Sequence, residues 1–201
     1  KEVFSIMLDG TRIPDRYPIG TLEVIRTAPR EKFINYYRTH YVPSQMQLVI
    51  AGDITPEQGK AWVEKYFGSM KKDNYSFQTD RGTLKTATET TAHWITNKEA
   101  TSTEASINIA RPYVNKPDTV ANRNKDIPLN VAYAMLNRRL EKMAKNADCP
   151  FISAEGGRAD IVEAAEVDSI QTQADYKNWK AALAAIEQEL RRAIEFGFNK
   201  D

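Results

Sequence analysis

Two hydrophobic periods take turns along this chain, and their order restricts its fold more than any other feature. A period near 3.6 marks amphipathic helices and a period of two marks half-buried strands. Phe33, Ile34, Tyr37 and Tyr41 recur at helical spacing after Pro29, which predicts a helix over 30–41, stopped by Pro43. The apolar run Met46 to Ala51, closing on Gly52, predicts a buried strand. Thr55 followed by Pro56 and Glu57 reads as a cap and first turn, opening a helix to Phe67 with Gly68 as its C-terminal stop. Residues 69–83 are polar and aperiodic and read as a linker. Beyond them the Thr-rich run 84–96 predicts an extended strand, and Glu104 to Ala110 alternates as a half-buried strand should.

Residues 111–125 read as a polar loop. Asp126 is the expected cap of a long helix with Pro128 in its first turn and Leu129, Ala132, Tyr133, Leu136, Leu140 and Met143 on one face. Residues 151–154 and 161–172 flank Gly156-Gly157, which reads as the turn of a hairpin or bulged strand pair. Asp175 opens a last helix over 176–196, with Trp179, Leu183, Ile186, Leu190 and Ile194 as its inner stripe and Gly197 as its end. Residues 1–28 carry turn chemistry at Asp9-Gly10, Pro14-Asp15 and Pro18-Ile19-Gly20. Strands therefore come in adjacent pairs with helices between them. The expected class is α+β, with mainly antiparallel sheets packed with helices.

Composition narrows the chemistry. The 28 Lys and Arg nearly balance the 27 Asp and Glu, leaving a net charge of +1, and that argues against a nucleic-acid partner. The longest apolar runs, Val131 to Leu136 and Ala181 to Ile186, are six residues each, far short of the roughly 20 a membrane span needs. One cysteine excludes an internal disulfide framework, and two histidines leave little room for zinc or proton-shuttle sites. His40 reads as a polar residue near a helix end and His93 as a half-exposed sheet residue; they share no motif. Cys149, between Asp148 and Pro150, lacks the base and positive setting a nucleophile needs. Arg138 and Arg139 are a candidate anion-binding pair, although such pairs more often form the solvated face of a helix. Composition and spacing by themselves show no active site.

A longer pattern does stand out. Arg16-Tyr17-Pro18-Ile19-Gly20 forms an Arg-x-Pro-Ile-Gly turn. A helix ending in Tyr36-Tyr37, Tyr41 and Pro43 follows, then an apolar run closing on Gly52-Asp53, then a short helix ending in Tyr66-Phe67-Gly68. In order and spacing this resembles the insulinase/pitrilysin family of zinc peptidases, the group that includes mitochondrial processing peptidase-like proteins. Asn137-Arg138-Arg139-Leu140 stands where that family has a Ser-Arg-Leu-like motif, so the resemblance runs weakly through the rest of the chain.

The resemblance implies that residues 1–75 are the end of a first, zinc-type domain and that 76–201 are most of a second, non-catalytic one. The family's zinc motif, His-x-x-Glu-His, occurs nowhere in this sequence. With the chain opening on Lys1 rather than Met, the expectation is a piece of a longer protein whose zinc segment precedes it. No zinc ligand or general base carries over, and the piece alone is expected to hold no cofactor and cleave nothing, while zinc is expected in the parent. Such domains wall a chamber around peptide or unfolded-protein substrates, beside the remaining domains of the parent. In insulysin-like members an edge strand beside a Gly-Gly turn receives the substrate's N-terminal end. Ser153, Ala154, Glu155, Gly156 and Gly157 occupy that place, with Glu155 available to the peptide's amino group. A catalytically inactive scaffold or partner subunit is the alternative. Family habit suggests a bacterial, exported or periplasmic setting.

Overall fold

The computed structural model describes residues 2–76 and 79–198. They form two compact units, one of residues 18–80 and one of residues 1–17 with 81–201. In the first unit, α2 (Leu22–Thr27) begins where the Thr21 side chain accepts from the Val24 N–H at 3.3 Å. Next comes α3 (Arg30–His40), matching the expected helix to within a residue. Then α4 (Pro56–Phe67) starts with a full capping box, in which Thr55 Oγ1 accepts from Gln58 N–H and Gln58 Oε1 accepts from Thr55 N–H. The expected strand over 46–51 does not form. A strand is stabilised by its ladder, and no described residue of 18–80 pairs with this run, which stays extended with Val49 79% exposed.

The larger unit is built on three antiparallel strands in the order β1-β3-β2: β1 (Thr103–Pro112), β2 (Ser153–Ile161) and β3 (Ala165–Ala174). One residue triplet across the sheet is Ile107, Ile170 and Gly156, and by period two their side-chain positions share a face with Ala105, Ala154, Asp168 and Arg158. Against that face pack α5 (Val120–Ala144) and α6 (Trp179–Phe196), burying Leu136, Leu140, Phe151, Ile170, Ala174, Ala182 and Ile186. At the turn end of the hairpin the opposite face carries Ala165 and Val167, covered by Leu84 and by Leu8 just after α1 (Glu2–Met7). Gly10 and Gly82, both at positive φ, let 9–12 and 81–85 run side by side. A Cβ on Gly10 would sit 2.3 Å from the Thr83 carbonyl oxygen.

Four further expectations change. The Thr-rich run 84–96 is not a strand; Lys85 N–H bonds the Asp9 carbonyl at 2.8 Å, and the run then continues without a ladder. The long helix starts before Asp126, because Thr119 Oγ1 caps it by accepting from Asn122 N–H. Pro128 thus lies inside α5, where residues 123–128 are exposed and water can solvate the carbonyl that proline leaves unpaired. Gly156-Gly157 is not a turn but the middle of β2. The chain reverses at Val162 and Glu163, both at φ near +50°. Finally, the inner stripe of α6 keeps Leu183, Ile186 and Leu190 against the core but widens to Ala182 and Glu189, and it ends early, leaving Ile194 76% exposed.

Candidate functional site

Among the described residues β2 is an edge strand, with β3 on one side only. The five residues singled out from the sequence therefore form one extended rung set with two faces. Ala154 and Gly156 lie under the helices, whereas Ser153, Glu155 and Gly157 lie on the opposite face. Gly156 allows α5 to approach the strand directly: a Cβ there would touch Leu136 Cδ2 at 3.4 Å and Tyr133 Cδ1 at 3.6 Å. A Cβ on Gly157 would meet nothing within 4 Å. Glu155 accepts a hydrogen bond from Gln171 Nε2 across the ladder at 2.7 Å, and Thr172 Oγ1 donates to the Ser153 carbonyl at 3.0 Å.

The main chain of Gly156 has an unexpected partner. Its N–H donates to Asn137 Oδ1 at 2.7 Å, and Asn137 Nδ2 donates to its C=O at 3.0 Å. Both groups are therefore directed away from β3. The N–H and C=O of an antiparallel strand residue share a direction that alternates along the chain, so Ala154 and Arg158 share this outward direction. Sequence reading placed Asn137 in a family-like motif but gave it no role. Its signal was a short amide beside Leu136 on an apolar helix face, where such a side chain needs a partner.

A second cluster escaped the sequence altogether. Asp168, central on β3, accepts from Arg158 Nε and a second Arg158 nitrogen at 2.7 and 2.9 Å, from Tyr133 Oη at 2.8 Å, and from Arg111. One carboxylate thus ties all three strands to α5. The Arg158 fork, with Arg111 and Tyr133 behind it, holds the Asp168 carboxyl well below the usual carboxylate range, and Asp168 in turn raises Arg158. Burial, reinforced by the bond to Asp168, pushes the Tyr133 hydroxyl up to about 12. Residues 111, 158 and 168 are too far apart in sequence for spacing to reveal them; only the strand register brings them together.

The arginine pair divides. Arg139 faces Glu189 at 3.5 Å, donates to the Gly197 carbonyl at 3.3 Å and lies over the Phe198 ring at 4.9 Å, so its fork fastens the end of α6. Arg138 is exposed. His40 Nδ1 lies 2.9 Å from Tyr75 Oη, and His93 Nε2 lies 3.1 Å from Thr91 Oγ1. Cys149 is half-buried against the α5–α6 core. No group of three or more His, Cys, Asp or Glu suited to a metal ion occurs among the described residues. No described helix is long and apolar enough to cross a membrane.

Comparison with known proteins agrees with this architecture. The chain is 23% identical over 202 aligned residues to the protein described as probable zinc protease PqqL of Escherichia coli K12, an alignment covering 97% of this chain and 21% of that protein. It therefore spans about a fifth of that relative. The crystal structure of the periplasmic protease PqqL from Escherichia coli superposes with a TM-score of 0.81 at 18% identity, over 98% of this chain and 22% of that one. A mutant of the ferredoxin protease FusC in complex with Arabidopsis ferredoxin gives 0.74 at 20% identity, over 99% and 22%. Residues 27–201 match the peptidase M16 inactive domain, so the chain belongs to the M16 peptidase family through that domain.

Proposed function

We propose that this chain is a non-catalytic part of a zinc metalloendopeptidase and helps form the chamber that encloses its peptide substrates. In this reading residues 1–75 end the first, zinc-type domain and 76–201 make up most of the second. Zinc and the attacking water belong to the rest of the parent protein. The observation that carries the reading is the edge position of β2, with the main-chain groups of Gly156 directed away from β3. An extended peptide can lengthen such a sheet by main-chain hydrogen bonds. Glu155, on the face away from α5, is available to attract its amino terminus. The ferredoxin held by FusC supports a polypeptide substrate, and the periplasmic description of PqqL supports export of the parent.

Ala154→Pro tests the docking edge. Proline is tolerated on an edge strand where its N–H would face outward, so the β2–β3 ladder survives while strand addition is blocked. The expected outcome is loss of binding of a fluorescein-labelled peptide of alternating valine and threonine, by a chain that still unfolds cooperatively. Retained binding overturns the docking role. Replacing Gly156 itself by a bulky residue is a poor test, because Leu136 and Tyr133 already occupy that space.

A further inference from the structure

We propose that Asn137 is a gate on the β2 edge. Its side-chain amide stands in for one residue of an incoming strand and swings away before a peptide pairs at Gly156. This rests on the docking reading above and adds to it a residue that sets affinity and register.

The two bonds between Asn137 and Gly156 are the pair that an antiparallel neighbour would supply. One acceptor takes the Gly156 N–H at 2.7 Å and one donor serves its C=O at 3.0 Å. A primary amide offers an acceptor and a donor on the same side, as the C=O and N–H of one extended residue do. Asn137 reaches this rung because α5 packs on β2, with its neighbour Leu136 seated over Gly156. The residues sharing the outward direction, Ala154 and Arg158, flank the bracketed rung on either side. A peptide that begins to pair at Ala154 therefore meets the amide at its next rung. Open sheet edges invite pairing with any extended chain. An amide clamped on one rung makes that pairing conditional, because the peptide must replace two existing bonds rather than take two free groups.

The size of the effect follows from that exchange. A net hydrogen bond is worth about 1 kcal/mol, so removing a competitor that makes two of them is expected to tighten peptide binding by up to about thirtyfold. The experiment is a fluorescence-anisotropy titration of the whole chain with the labelled valine–threonine peptide, comparing the unmodified protein, Asn137→Ala, Asn137→Asp and the double variant Asn137→Ala/Ala154→Pro. Asn137→Ala is expected to bind more tightly even as its own melting temperature falls, a pairing of effects that a purely structural role would not give. Asn137→Asp keeps an acceptor for the Gly156 N–H but sets a carboxylate against the Gly156 carbonyl, and it is expected to fall in between. The double variant is expected not to bind.

Equal or weaker binding by Asn137→Ala, with binding still abolished by Ala154→Pro, overturns the gate and leaves the docking edge standing. Binding that survives Ala154→Pro overturns the docking edge itself. Should Asn137→Ala fail to fold, the Asn137 side-chain NH2 resonances of the unmodified protein decide the matter. The gate requires them to lose protection from exchange as peptide is added, and unchanged protection overturns it.

Discussion

Residues 18–80 and the unit containing 81–201 form their helices by the same local devices and end in opposite states of packing. Thr21, Thr55 and Thr119 each cap a helix through the side-chain oxygen. Yet among the described residues of 18–80 only Gly59 is buried, while Phe33, Tyr36, Tyr37, Trp62 and Tyr66 are all exposed. In the other unit β3 is covered on both faces, by α5 and α6 on one and by Leu8 and Leu84 on the other. Caps and spacing are enough to make a helix. A core requires a sheet face for the helix stripe to meet, and the one apolar run of 18–80 that could supply it, Met46 to Ala51, has no ladder.

The sharpest way to break this contrast is to cut one large side chain from each unit. Leu140, fully buried between α5 and its neighbours, is expected to cost about 2–5 kcal/mol as Leu140→Ala. Tyr37→Ala, at a 60% exposed position, is expected to change the unfolding free energy by no more than about 0.5 kcal/mol. Urea unfolding of both variants measures the difference. Comparable losses would show that 18–80 contributes to the cooperative core after all.

The Asp168 cluster separates the units in a second way, since it gives the sheet an electrostatic tie. Asp168→Asn keeps the shape but strips the charge facing Arg158 and Arg111, and about 2 kcal/mol of stability should go with it. The pH dependence follows from the direction of each shift. A free aspartate titrates near 3.9; folding lowers Asp168 below that, so its contribution is complete above that value and lost as pH falls through the lower folded one. Tyr133 is shifted the other way, from about 10 unfolded to about 12 folded. Its contribution is complete below the first value and lost as pH rises through the second. Denaturant midpoints across pH should therefore flatten at the acid end in Asp168→Asn and at the alkaline end in Tyr133→Phe.

What could be read in advance follows the same division. The helices at 30–40 and 56–67 and the strand at 103–112 were legible because capping, proline stops and alternation are local. The strand at 46–51 was misread because its sequence has every local sign of a strand and lacks only a partner. The Gly156-Gly157 pair was misread for the converse reason. Its composition suggests a turn, yet the register from Ser153↔Gln173 to Ile161↔Ala165 puts both glycines inside β2 and the reversal at Val162 and Glu163, which have no turn chemistry. The candidate edge was legible as a segment, but its two decisive features, the Asn137 bracket and the Asp168 cluster, depend on contacts between elements.

Val162 is β-branched, exposed and held at φ +50°, a region such residues rarely occupy. Asparagine tolerates it at far less cost. Val162→Asn is expected to raise the stability of the larger unit by about 1 kcal/mol, read as a higher thermal midpoint. No gain would mean that the hairpin is held by β2–β3 packing regardless of its turn.

The smallest effect tests the coreless unit on its own terms. Thr55 and Gln58 close a reciprocal box at the start of α4, and the same first turn, with Thr55, holds the Glu57 carboxyl below its usual range. Losing a cap of this kind costs a helix about 1 kcal/mol. Because α4 buries only Gly59, that loss has nothing to propagate through. Thr55→Ala should therefore fray the first turn of α4, seen as faster amide exchange at Gln58, while the main unfolding transition of the chain stays in place. If the main transition shifted by the full cap energy, α4 would be coupled to the core, and the difference between the two units would be one of exposure and not of cooperativity.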